Sequence, residues 1–294
     1  MSLFKGSGVA LVTPFCATGI DVKALHDLIN WHIDNGTDAI IVSGTTGEAS
    51  TLTYEERECL YTESVNAASK RIPIIAGTAT NNTATSIKYS QLAEACGVDG
   101  LLLVTPYYNK CTQKGLIAHF TAIAESVKIP SILYNVPSRT GLNMLPQTVL
   151  ELSKLPGIVG LKEASADITQ ITETFRLLPS DFSIYSGNDD HIVPLLALGG
   201  HGVITTVGNI IPKEVHDLCQ SWFDGNFNTS VQLQFMMNPL VKSVFAEVNP
   251  IPIKAAVALL GFEVGSVRLP LTDAEASTVQ AIKTLLMERG ALSE

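Results

Sequence analysis

Charge is scarce in this 294-residue chain: Asp, Glu, Lys and Arg make up 16% of it, with 19 basic residues against 28 acidic. The resulting net charge of −9 repels phosphate backbones and anionic lipid, which argues against nucleic acid or a membrane surface as partner. Long apolar runs are missing too. The longest, such as 192–198, fall far short of the roughly 20 residues that a spanning helix requires. The first residues hold one Lys and an early Pro14 but no apolar core, so no signal peptide is expected. The five cysteines (Cys16, Cys59, Cys96, Cys111 and Cys219) are odd in number and show no CxxC spacing. That pattern fits neither a disulfide framework nor a zinc site. Buried, unreactive thiols in a reduced, cytoplasmic protein are expected.

What the chain has in quantity is apolar residues, 46% of the total. Its length is enough to bury a large core without a disulfide or metal staple. Short β-branched runs at 9–13, 39–43, 73–77, 100–104, 131–136, 158–162, 183–187 and 202–205 predict strands. They are apolar throughout rather than alternating, as parallel strands covered on both faces are. Each is followed by a helical pattern, at 21–35, 53–69, 83–96, 112–126, 146–152, 168–177, 191–198 and 212–223. Thr53 with Glu56 forms a capping-box signature at one helix start. Eight strand–helix units predict an α/β fold, the (β/α)8 barrel. A doubly wound open sheet has fewer strands and carries a GxGxxG turn, which does not occur here. Strand signals cease near Asp224-Gly225-Asn226. The expected division is therefore a catalytic barrel over 1–225 and a C-terminal helical appendage over 226–294, broken at Asn249-Pro250-Ile251-Pro252.

In such a barrel the chemistry sits where strands end and βα loops begin. The second strand ends in Ser43-Gly44-Thr45-Thr46-Gly47-Glu48, whose glycines, hydroxyls and amides suit a small carboxylate or, equally, a tight turn with a threonine cap. At the fifth, Tyr134 can move a proton in the barrel mouth, or be a core ring with a bonded hydroxyl. Arg139, framed by Pro137 and Gly141, can clamp a carboxylate or serve as a surface ion-pair partner. The sixth strand ends at Lys162, which burial would convert into a nucleophilic amine; taken alone, a snorkelling lysine is the commoner case. Convergence of all four at one barrel end favours the chemical readings. The six histidines show no HExxH and no converging ligand spacing. His191, after Asp189-Asp190, is the best metal candidate, but a charge cluster at a helix start accounts better for it. No Ser-His-Asp or catalytic cysteine signature occurs, and no metal is expected.

Taken together, Gly44-Thr45-Thr46-Gly47-Glu48, Val104-Thr105-Pro106-Tyr107-Tyr108-Asn109, Tyr134–Gly141 and Gly160-Leu161-Lys162-Glu163-Ala164 resemble the dihydrodipicolinate synthase family, the 4-hydroxy-tetrahydrodipicolinate synthases of lysine and diaminopimelate biosynthesis. The resemblance continues through Gly199–Ile204 and Asn249–Lys254 and covers essentially the whole chain. It implies condensation of pyruvate with aspartate semialdehyde, without a cofactor. Lys162 would form the imine with pyruvate. Tyr134 would shuttle protons, helped by Thr46 and by Tyr108 reaching in from a neighbouring subunit. Thr45 and Thr46 would hold the pyruvate carboxylate and Arg139 that of the semialdehyde, with backbone contacts from Gly187 and Ile204. A homotetramer, a dimer of dimers, is the assembly implied.

N-acetylneuraminate lyase and other 2-oxo-acid aldolases share the barrel and the imine lysine. The second threonine of Gly44-Thr45-Thr46-Gly47 and the arginine of Ser138-Arg139-Thr140-Gly141 favour the synthase over them. A non-catalytic barrel binding a 2-oxo acid is hard to reconcile with lysine, tyrosine and both threonines together. In lysine-inhibited members, an allosteric pocket corresponds here to Ala49, Ser50, Tyr54, Arg57, Asn81, Thr85 and Tyr107. Asn81 and Tyr107 fit that pattern. Arg57 stands where His or Glu is common, and Thr85 where Glu is common. Losing a carboxylate and gaining a cation weakens the hold on a cationic amino acid, so weak or absent lysine feedback is expected.

Overall fold

The eight apolar runs become eight parallel strands closed into one barrel in a computed structural model that describes residues 2–292. The strands are β1 (Gly6–Ala10), β2 (Ala39–Val42), β3 (Ile74–Gly77), β4 (Gly100–Val104), β5 (Ser131–Asn135), β6 (Ile158–Glu163), β7 (Ser183–Ser186) and β8 (Gly202–Thr205). Each pairs with its sequence neighbours, and β8 closes onto β1 with Gly6 opposite Gly202 and Val9 opposite Thr205. Alternate residues face opposite ways, as the two-residue strand period requires. Ile41, Leu102, Ile132 and Tyr134 fill the barrel with Phe4, whereas Ile40, Leu101, Leu103 and Leu133 meet the surrounding helices.

Those helices are α1 (Val22–Asp34), α2 (Tyr54–Ala68), α3 (Thr83–Ala95), α4 (Gln113–Ala124), α5 (Pro146–Leu152), α6 (Ile168–Leu177), α7 (Ile192–Ala197) and α8 (Pro212–Phe223). Side-chain caps set several starts. Thr53 and Glu56 form the expected reciprocal box, and Asp21 Oδ1 accepts from Ala24 N at 2.9 Å.

Strand β1 lies upstream of its expected place. Its Gly-Ser-Gly start carries little β propensity, yet small residues are what the barrel bottom admits. A Cβ at Gly6, where φ is +118°, would overlap the Asp38 carboxylate. The apolar residues that suggested the strand run on past the sheet: Val12 N donates to Asn209 Oδ1 at 3.0 Å and Thr13 Oγ1 to Gly47 O at 2.7 Å. A two-residue hairpin (Phe15–Cys16 with Gly19–Ile20) and a helical turn (Pro137–Thr140) were not expected.

Beyond α8 the chain continues as α9 (Phe227–Val244), α10 (Ile251–Leu259) and α11 (Ala276–Glu288), interrupted at the expected Asn249-Pro250. Met237, Leu240, Ile253, Val257, Ile282 and Leu286 join the same apolar cluster as the outer barrel surface. Among the described residues no helix is long and apolar enough to cross a membrane.

Candidate active site

Parity along β6 decides where Lys162 points. Leu161 faces the outer helices, so Lys162 faces the barrel interior, where it is 5% exposed. Strand register places Tyr134 of β5 opposite it, and Lys162 Nζ lies 4.4 Å from the centre of the Tyr134 ring. Burial disfavours the ammonium and pulls the amine down to about 8; the Asp189 charge opposes that shift and Arg139 adds to it. The Tyr134 phenol is pushed up to about 12, first by burial, with Arg139 opposing and Asp189 and Glu163 assisting. Near neutral pH the pair is thus a partly deprotonated nucleophile beside a fully protonated acid.

The loop after β2 supplies the second component. Ser43 and Glu48 both adopt left-handed backbone conformations, bending the Gly44–Gly47 segment back over the barrel. Glu48 anchors it from below: its buried carboxylate accepts from Lys254 Nζ at 2.7 Å and from Arg268 N at 2.8 Å. Thr46, 2% exposed, accepts a hydrogen bond from Asn249 Nδ2 at 3.0 Å. Arg139 lies in the helical turn after β5, its side chain exposed at the mouth, with Nη2 donating to Asn249 O at 3.3 Å. Gly187 closes the opposite wall. A Cβ there would come 2.7 Å from Ala164 Cβ and 3.2 Å from Lys162 Cε, so any side chain would press on the amine.

A cavity of about 210 Å³ brings together Thr45, Thr46, Tyr134, Arg139, Lys162 and Gly187. Its volume and its mixture of amine, phenol, hydroxyls and guanidinium suit small carboxylated carbonyl compounds. Two of the expected site residues lie elsewhere. Ile204 is fully buried in the cluster that fills the barrel, outside the cavity lining. Tyr108 is 89% exposed with φ +70° and does not line this chain's own cavity.

A second, larger cavity of about 540 Å³ adjoins the first and shares Thr45, Tyr134 and Arg139 with it. Ala49, Ser50, Arg57, Asn81, Thr85 and Tyr107 all line it. Tyr54 does not, but its ring packs against that of Tyr89, which does. Arg57 is buried and held by neutral acceptors, donating from Nη1 to Tyr61 Oη at 3.1 Å and to Gly77 O at 3.2 Å, and from Nη2 to Ala49 O. No Asp or Glu is found among the described residues that line this cavity.

Sequence reasoning missed two participants. Asp189, expected in a charge cluster at a helix start, is buried; its carboxylate accepts from Thr206 N at 3.1 Å and Val207 N at 2.8 Å. Burial pushes that carboxyl up, against the bonds from Thr205, Val207 and Thr206. Asn249 was visible as part of a break between helical patterns and of a stretch carrying the family resemblance, but nothing in the local sequence tied it to Thr46. Among the described residues no group of three or more His, Cys, Asp or Glu is arranged to hold a metal ion.

Comparison with known proteins matches the model of the dihydrodipicolinate synthetase family over residues 3–289. A 4-hydroxy-tetrahydrodipicolinate synthase of Thermoanaerobacter sp. (strain X514) is 52% identical, covering 100% of this chain and 99% of its own. The crystal structure of dihydrodipicolinate synthase from Thermotoga maritima superposes with a TM-score of 0.97 at 43% identity, over 99% of this chain and 100% of that one. A monomeric dihydrodipicolinate synthase variant also gives 0.97 at 43% identity, over 99% of this chain and 98% of its own. Agreement at this level, end to end and on the same barrel, makes this chain a member of the dihydrodipicolinate synthetase family.

Proposed function

We infer that this chain is a carbon–carbon bond-forming lyase, a 4-hydroxy-tetrahydrodipicolinate synthase that condenses pyruvate with L-aspartate 4-semialdehyde on the route to diaminopimelate and lysine. The observation that carries the chemistry is the buried Lys162 amine, lowered to about 8, beside the Tyr134 phenol in a small polar cavity.

Free Lys162 Nζ attacks the pyruvate ketone, and Tyr134 protonates the departing hydroxyl so that water leaves and the iminium forms. The iminium draws electrons from the methyl group, which loses a proton to give the enamine. The enamine carbon attacks the aldehyde of the second substrate, and the new alkoxide takes up a proton. The amino group of that substrate then attacks the iminium carbon and displaces Nζ, which closes the ring and restores the lysine.

Thr45 and Thr46 bind the pyruvate carboxylate, Arg139 binds that of the semialdehyde, and Gly187 lends a backbone contact, while Ile204 packs in the barrel core beneath. A phenol that stays protonated up to about 12 needs an outlet for its proton. Thr46 is that outlet, followed by Tyr108 of a second copy; the exposed Tyr108 ring is what supports an exchange between subunits. The assembly proposed is a homotetramer, a dimer of dimers, acting in the cytoplasm without membrane or nucleic-acid partners. The catalytic barrel spans 1–225 and the helical region 226–294; Met1, Ser293 and Glu294 lie outside the described residues. The second cavity is an effector pocket with little affinity for lysine, supported by Arg57 and by the lack of Asp or Glu among the described residues that line it.

The test is a coupled assay containing pyruvate, aspartate semialdehyde, excess dihydrodipicolinate reductase and NADPH. Nicotinamide oxidation that needs the protein and both substrates is expected. No oxidation by folded protein in a validated coupling system would remove this reading.

A further inference from the structure

We propose that Asn249, from the segment joining α9 to α10, is a positioning residue for proton transfer in this site: its amide N–H occupies the Thr46 oxygen and turns the Thr46 proton toward the cavity. This rests on the reading of Thr46 as part of the proton outlet.

Asn249 is 5% exposed and lines the same cavity as Lys162, Tyr134 and Thr46. Its Nδ2 donates to Thr46 Oγ1 at 3.0 Å across a separation of 203 residues. A hydroxyl has one hydrogen and two lone pairs. With an amide N–H on one lone pair, the Thr46 hydrogen is free to turn to another acceptor, and the cavity it faces is lined by Tyr134 and would admit substrate oxygens. Asn249 Oδ1 is buried without a hydrogen-bond partner among the described residues. An orphaned buried acceptor costs stability, so nothing on this side of the amide offsets its burial in the cavity wall. The same residue's backbone carbonyl receives Arg139 Nη2 at 3.3 Å. One residue from the C-terminal quarter thereby touches both the hydroxyl beside the amine and the guanidinium at the mouth.

Two variants separate positioning from packing. Asn249→Ala removes the donor. Asn249→Asp replaces it with a carboxylate, which accepts the Thr46 hydrogen and draws it away from the cavity until the carboxylate is protonated. Both are expected to lower kcat about a hundredfold with little change in the KM for pyruvate. The activity of the Asn249→Asp enzyme relative to wild type should recover as pH falls, whereas the Asn249→Ala ratio stays flat. Borohydride trapping of pyruvate and thermal unfolding on the same preparations complete the test, with full-extent trapping and wild-type Tm expected. Wild-type kcat in both variants would overturn the proposal, as would equal, pH-independent losses that follow a fall in Tm. Failure of wild-type protein to trap pyruvate would instead overturn the lysine-imine reading beneath it.

Discussion

Lys254 Nζ donates to Glu48 Oε1 at 2.7 Å with both side chains almost fully buried, an ion pair that fastens the first turn of α10 to the loop carrying Thr45 and Thr46. Burial lowers the lysine's affinity for its proton, and the Glu48 carboxylate raises it. Removing one member of such a pair strands the other charge, which typically costs about 3–5 kcal/mol. Lys254→Met should therefore lose stability on that scale and also lose activity through the displaced loop. Adding Glu48→Gln should restore much of the stability. Thermal unfolding and steady-state kinetics on the single and double variants check this, and an additive double variant would count against it.

The lowered Lys162 amine predicts the pH dependence of imine formation. Only the free amine attacks the ketone, so the rate of pyruvate trapping should rise with pH and level off above a midpoint near 8. An ordinary surface lysine would still be rising near 10.4. Initial trapping rates between pH 6 and 10 decide between the two.

Arg139 is the proposed clamp for one substrate and a charge beside the amine that takes the other. As the clamp for the semialdehyde carboxylate, its replacement by Ala should raise the KM for that substrate by about a hundredfold while pyruvate still forms its imine. Its positive charge also helps to hold the Lys162 amine down. Losing it should move the trapping midpoint to higher pH. A variant with unchanged semialdehyde kinetics would contradict the assignment.

The second cavity predicts a regulatory phenotype. With Arg57 in place and no acidic residue among the described residues of its lining, L-lysine at millimolar concentration should leave turnover unchanged. Thr85→Glu should introduce inhibition and also fold well, because Thr85 lies in the first turn of α3, where a carboxylate favours the helix. Inhibition of the unaltered protein would reverse this view of the pocket.

Much of this was legible from residue pattern alone. Strands β4 and β8 and helices α5, α6 and α8 lie where the pattern puts them, because uninterrupted apolar runs and Pro or Asp starts leave little choice. Strand β1 slipped because glycines that the barrel bottom requires look like a loop. The Phe15–Cys16 hairpin is too short for any period to register. Lys162, Tyr134, Thr46 and Arg139 could be found because each ends or follows a strand, and strand ends share one rim. Asp189 and Asn249 could not. What makes them matter is a fold-level encounter, with the β8 loop in one case and with Thr46 in the other.

That encounter joins early and late parts of the chain. Every strand of the barrel, up to Gly202–Thr205, and the facing pair Lys162 and Tyr134 precede the helical tail in the chain. Asn249 and Lys254, which hold Thr46 and Glu48, are translated only later. The nucleophile and the residues that steady its mouth thus come from earlier and later parts of the translation order, and a chain cut short before Asn249 would carry Lys162 without the partners of Thr46 and Glu48.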